Sequence, residues 1–209
     1  LAISFVLLAL SGITILWGKH IVLPWLGYTG FSWLTIFSKN MHNFVGPLFI
    51  FSVVVMFLLF LKDNLPAAHD IAWMKKFGGM FSKTGEEVPS GRFNAGEKVV
   101  FWAGVLGLGA AVGITGLILD FPNWNQGREL MQQANVIHAI AAVFFICMIM
   151  GHGYLGTIGM EGAYRAMRTG YVDETWAKEH HGIWYEEVKA GKRSERIMDG
   201  AAQPAMGDD

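Results

Sequence analysis

The sequence predicts an all-α integral membrane protein: a bundle of four transmembrane helices with both chain termini in the cytoplasm. Three observations carry that expectation. Of the 209 residues, 53% are hydrophobic and 16% charged, which is an integral membrane composition. Four apolar runs, at about 1–23, 41–61, 99–119 and 134–158, are each long enough to cross a hydrocarbon core of roughly 30 Å. Lys and Arg gather in alternate connections, as membrane topology demands.

Taken in order, the first run extends from Leu1 to Leu23 and is interrupted by Ser11, Gly12, Thr14 and the Lys19-His20 pair. The chain starts inside this run with no signal-peptide pattern, so the helix is expected to begin upstream of Leu1. Pro24, Gly27 and Gly30, among Trp25, Tyr28, Phe31 and Trp33, predict a short connection at the headgroup interface. The second run, about Met41 to Leu61, holds His42 just inside its start and Pro47 a turn later, where the missing N–H loosens the helix. Residues 62–96 read as a polar loop with a short amphipathic helix around Ile71 to Phe81. The third run, Val99 to Leu119, contains Gly109 and Gly113 at the spacing that lets helix backbones approach closely. The fourth, Ala134 to Ile158, completes a transmembrane domain over 1–158. Residues 159–209 read as a charged, solvated extension with a floppy end.

Six Lys or Arg lie between Lys62 and Lys98 and seven lie between Arg165 and Arg196, against three elsewhere (Lys19, Lys39, Arg128). The positive-inside rule therefore puts the middle loop and both termini in the cytoplasm. A net charge of -1 offers no basic face for nucleic acid; lipid is the expected surrounding. The single cysteine, Cys147, can form no internal disulfide and cannot by itself hold an iron–sulfur cluster. No C-x-x-C-H motif is present, so a haem here would lack thioether bonds.

Histidines inside apolar spans are costly and mark function. His138 and His152 are fourteen residues apart, a rise of roughly 21 Å and a rotation about 40° short of four turns, so both imidazoles face one way at two depths. The second and fourth spans both enter from the non-cytoplasmic side, which sets His42 level with His138. Together they can grip one iron, and two axial imidazoles suit electron transfer. His152 lies near the cytoplasmic end and needs a partner from the start of the first span; that ligand is expected just upstream of Leu1, because His20 is at the wrong end. His69, His180 and His181 read as surface residues, and Met148 and Met150 as packing.

Several stretches resemble the cytochrome b (gamma) subunit of membrane-bound respiratory formate dehydrogenases. They are Ala9-Leu10-Ser11-Gly12, His42 with Gly46, Arg92-Phe93-Asn94-Ala95-Gly96-Glu97-Lys98, Ile137-His138-Ala139, His152-Gly153-Tyr154, and the tail from Trp176 through His180-His181-Gly182-Ile183-Trp184-Tyr185 to Glu187. The resemblance implies two haems b. His42 and His138 would hold the outer one and His152 the inner one. It also implies a menaquinone or ubiquinone site beside His152, with Asn94 and Gly96 at quinone-contacting positions. Asn94 can donate to a quinone carbonyl and Gly96 leaves room for a ring; equally, Asn94 can cap the third helix. The implied partners are an iron–sulfur (beta) subunit and a molybdenum or tungsten catalytic (alpha) subunit, with a trimer of such heterotrimers as one assembly open to it. Formate oxidation would lie outside this chain. Two alternatives stand beside this reading: the cytochrome b subunit of a nickel–iron hydrogenase or thiosulfate reductase, and a haem-free anchor or proton-relaying transporter.

Overall fold

The structure, a computed structural model, describes residues 1–79 and 88–195. In chain order its helices are α1 (Ala2–Ile21), α2 (Leu23–Phe60), α3 (Ala68–Lys76), α4 (Ala95–Asp120), α5 (Arg128–Gly159), α6 (Ala163–Thr169), α7 (Glu174–His180) and α8 (Gly182–Lys189). No strand occurs among the described residues. The long apolar helices α1, α2, α4 and α5 have mean hydropathies of 1.7 to 2.3 and are the four expected spans. Large apolar side chains such as Ile3, Phe44, Phe144 and Ile158 stay exposed on them, which is stable where the solvent is lipid.

Their boundaries differ from the sequence expectation at informative places. Residues 24–40, expected as a connection, belong to α2, which runs 38 residues. Pro24 falls in its first turn, where a missing N–H costs nothing. The break that the glycines announced is confined to Gly27, whose φ of 65° and ψ of 176° kink the helix. The third span starts earlier, at Ala95, because Asn94 caps it. A π-helical stretch, Val100–Leu108, follows inside α4. The fourth span starts at Arg128, in a Glu-Leu-Met-Gln-Gln-Ala stretch of strong helix formers.

Two compact units divide the chain: Leu1–Phe57 with Ala103–Ile149, and Leu58–Trp102 with Met150–Asp209. In the first, Phe5 of α1, Phe49 of α2 and Phe145 of α5 form a triangle with ring centroids 5.2 to 6.2 Å apart. Phe49 and Phe145 are buried there. A Cβ on Gly109 would sit 3.4 Å from Val53, and one on Gly113 would sit 3.4 Å from Ile50. The small-residue spacing of α4 therefore serves close packing on α2.

In the second unit, Trp102 Nε1 donates to the carbonyl of Asn64 (2.9 Å), and Asn64 Nδ2 donates to the Phe60 carbonyl (2.9 Å). Lys98 Nζ meets both oxygens of Asp70, at 2.9 and 2.8 Å, and Asp70 also accepts the Ala67 N–H at the start of α3. The helix expected around Ile71 to Phe81 is α3 followed by a 3₁₀ turn at Phe77–Gly79; its remaining residues lie outside the described ones.

The tail corrects the expectation of a solvated extension. Through residue 195 it forms three short helices, and α7 and α8 dock on the segment before α4. Ser90 Oγ donates to the His180 carbonyl (2.7 Å), the Ile183 N–H donates to the Ser90 carbonyl (3.0 Å), and the His181 ring lies 2.9 Å from the Gly91 carbonyl. His181, expected at the surface, is 3% exposed. Within the tail Trp176 packs at a tilt on His180 and His181, and across the contact the Arg92 guanidinium lies over Trp184 while Arg193 pairs with Asp63. Residues beyond 195 lie outside the described ones.

Candidate functional site

His42 projects from α2 and His138 from α5 into one cavity of about 530 Å³ in the first unit. Their ring centroids are 6.1 Å apart and the ring planes stand at 73°. The level inferred from chain direction is thus the level observed. Each Nδ1 is turned away from the facing ring onto a hydroxyl: His42 Nδ1 lies 2.9 Å from Ser11 Oγ of α1, and His138 Nδ1 lies 3.0 Å from Thr115 Oγ1 of α4. Both hydroxyls are buried, at 1% and 7% exposure.

The cavity wall is mostly apolar, with Leu8, Phe49, Val112 and Phe145 among its residues; Lys39, Asn43 and Asn135 are its exposed polar part. Four helices contribute, so no single hairpin encloses it. Gly46 of α2 borders the space, and a Cβ there would meet nothing within 4 Å.

These residues fit a haem. With a metal–imidazole bond of about 2 Å and a ring centroid about 1 Å behind its nitrogen, two trans imidazoles have centroids roughly 6 Å apart. The observed 6.1 Å matches that span. An apolar cavity of this size with a few placed polar groups is the ordinary form of a cofactor site. Lys39 at the exposed part supplies a cation suited to a propionate.

The other sequence-derived site residues lie in the second unit. His152 is exposed, in the last α-helical turn of α5 before a π turn at Leu155–Gly159. Gly151, Gly153 and Gly156 flank it, and a Cβ on any of them would meet nothing within 4 Å. Asn94 caps α4: its Oδ1 accepts the Glu97 N–H (3.0 Å), while the Glu97 carboxylate accepts the Asn94 N–H (2.7 Å). Its amide NH₂ is left over by that arrangement. The space beside Gly96 is taken by Trp73, whose ring edge would lie 2.8 Å from a Cβ there. Gly96 thus makes room for an indole of the same chain.

A profile of the prokaryotic cytochrome b561 family matches residues 1–170. The chain belongs to the prokaryotic cytochrome b561 family. Its membership in these membrane cytochromes accords with the four spans and with the paired histidines. Similar proteins include the cytochrome b556(fdo) subunit of formate dehydrogenase of Escherichia coli K12, 32% identical over 90% of this chain and 86% of that one. The nitrate-inducible cytochrome b556(Fdn) subunit of the same organism is 28% identical over 95% and 89%. The formate dehydrogenase cytochrome b556 subunit of Haemophilus influenzae is 28% identical over 82% and 75%.

Sequence reasoning about this cytochrome b561 family member missed the residues behind the histidines. Ser11 stood out only as a polar interruption of the first run and within a resembling segment, and Thr115 was not singled out. A hydroxyl residue followed by glycine, as at Ser11-Gly12 and Thr115-Gly116, also stands at Thr29-Gly30, Thr84-Gly85, Ser90-Gly91 and Thr169-Gly170, so the dipeptide alone does not single out these two positions.

Proposed function

We propose that this chain is the membrane-anchoring dihaem b-type cytochrome subunit of a respiratory formate dehydrogenase, relaying electrons from an iron–sulfur subunit to membrane quinone. The observation that carries the haem reading is the pair of facing imidazoles, 6.1 Å apart in a cavity of about 530 Å³. The formate reading rests on the relatives, whose names are those of formate dehydrogenase subunits.

Haem b supplies a one-electron couple, and a site with two imidazole ligands leaves no open position for oxygen chemistry. His42 and His138 hold the outer haem, while the apolar wall excludes water and Lys39 offers its charge to a propionate. His152 would hold the inner haem, nearer the cytoplasm. Asn94, with its spare amide donor, orients a menaquinone or ubiquinone carbonyl beside His152. Both termini lie in the cytoplasm, and the iron–sulfur and molybdenum or tungsten subunits dock outside, at the end of the bundle near His42. Electrons then move inward while quinol takes protons from the cytoplasm. Each charge so separated is worth about 2.3 kcal/mol per 100 mV.

Purification of the complex with formate and hydrogen assayed as alternative donors tests the assignment. Formate-driven reduction of two b-type haems and of quinone is expected. Hydrogen-driven reduction alone would assign a hydrogenase cytochrome, and a featureless reduced-minus-oxidised spectrum would leave only an anchor or transporter. His42→Ala and His138→Ala are each expected to remove one of the two haems, measured as haem per polypeptide.

A further inference from the structure

We infer that Ser11-Gly12 and Thr115-Gly116 are two matching positioning devices that fix the tautomer and the direction of the His42 and His138 imidazoles. The inference rests on the haem reading above for its purpose, and on hydrogen-bond accounting for its mechanism.

A hydroxyl has one proton to give and two lone pairs to receive with. Ser11 Oγ gives its proton to the Leu7 carbonyl (2.7 Å), and Thr115 Oγ1 gives its own to the Ala111 carbonyl one turn back in α4. Neither hydroxyl has a proton left for an imidazole. The close contacts to His42 Nδ1 and His138 Nδ1, at 2.9 and 3.0 Å, are therefore bonds in which the ring donates. That places the proton on Nδ1 and leaves the Nε2 lone pair free on each ring. Metal-bound histidines are oriented in just this way, by a second partner on the other nitrogen, and losing that partner costs on the order of 10–100-fold in metal affinity or activity.

The following glycine does the steric half of the work. A Cβ on Gly12 would stand 3.3 Å from His42 Cε1, and a Cβ on Gly116 would stand 3.3 Å from His138 Cε1. The Cε1–Nδ1 edge of each ring thus comes close to backbone at a glycine, where a side chain would crowd it. The same dipeptide does the same job on two helices of different sequence, from α1 to α2 and from α4 to α5.

Two readouts on the full-length protein test this. In haem-free protein labelled with ¹⁵N-histidine, His42 and His138 are expected to show Nδ1–H and an unprotonated Nε2. Ser11→Ala and Thr115→Val should each weaken that preference in one ring, which keeps only the Leu8 or Val112 carbonyl as an acceptor, and Ser11→Thr and Thr115→Ser should keep the tautomer. In the haem-loaded protein, loss of the hydroxyl makes the imidazole a weaker donor to ferric iron. The midpoint potential of the outer haem should then rise, by about tenfold in the reduced-to-oxidised ratio, or about 59 mV for one electron. The Thr and Ser exchanges should leave it in place. Gly12→Ala and Gly116→Ala should instead alter the anisotropy of the ferric EPR signal, which reads the angle between the ring planes. An unbiased tautomer in the unsubstituted protein, or the same potential with and without the hydroxyls, overturns the inference. A protein that shows the tautomer and binds no haem overturns the haem reading and the assigned purpose, while the hydrogen-bond accounting is upheld.

Discussion

At Asn94 one side chain is asked to do two things that chemistry can separate. Its oxygen caps α4, and on the proposed function its amide NH₂ is the group that would meet a quinone carbonyl. Asp is as good a cap as Asn but has no N–H to donate. Asn94→Asp is therefore expected to keep the thermal stability and the formate-driven reduction of the haems while lowering quinone reduction. Asn94→Ala is expected to lose about 1 kcal/mol of stability as well. Equal quinone rates in Asn94→Asp and the unsubstituted protein would reduce this residue to a cap. Histidines were legible in the sequence because an imidazole in an apolar run has no cheap alternative use. The hydroxyls behind them were not, since Ser and Thr in membrane helices ordinarily satisfy themselves on the carbonyl a turn back. Ser11 and Thr115 do that too, and the second bond each accepts is visible only in three dimensions.

Among the elements, the four spans were readable from hydropathy alone, and their ends were not. Aromatic residues with glycines suggested a connection over 24–40, yet a single positive φ at Gly27 absorbed the whole break. The tail was misread for the opposite reason. Its charges are real, and Arg193 pairs with Asp63, but the ring contacts that complete the docking come from His181 and Trp184, spread too thinly for a periodic pattern. His181→Ala would leave the buried Gly91 carbonyl without its ring partner, at a cost of about 1–3 kcal/mol. Earlier protease cleavage around α7 and α8, with the haem spectrum unchanged, is the expected outcome. In α4, Gly113→Leu would overfill the contact with Ile50 and cost about 1–3 kcal/mol, read as a lowered melting temperature in detergent. Gly113→Ala, with a Cβ at 3.4 Å, should be far milder.

Across the whole molecule, the expected orientation follows from the charge bias between connections, a signal that sequence carries and helix packing does not. Single cysteines at Trp124 and at Lys75, in a background where Cys147 is replaced by serine, probe it directly. A membrane-impermeant thiol reagent added to intact spheroplasts should label Trp124→Cys and spare Lys75→Cys. The reverse pattern would invert the topology and with it the direction of charge separation.

The two hydroxyl-to-histidine contacts also have a bearing on biosynthesis. Ser11 and His42 are 31 residues apart, and Thr115 and His138 are 23 apart, so each contact closes inside one helical hairpin. The first hairpin can pre-set its imidazole while the rest of the chain is still on the ribosome, and the second arrives with its own already set. Insertion then delivers two prepared halves, which on the proposed function a haem iron would join. Fragments separated in the connection between α3 and α4 and made together in one cell are therefore expected to rebuild the outer haem spectrum, whereas either fragment alone should not.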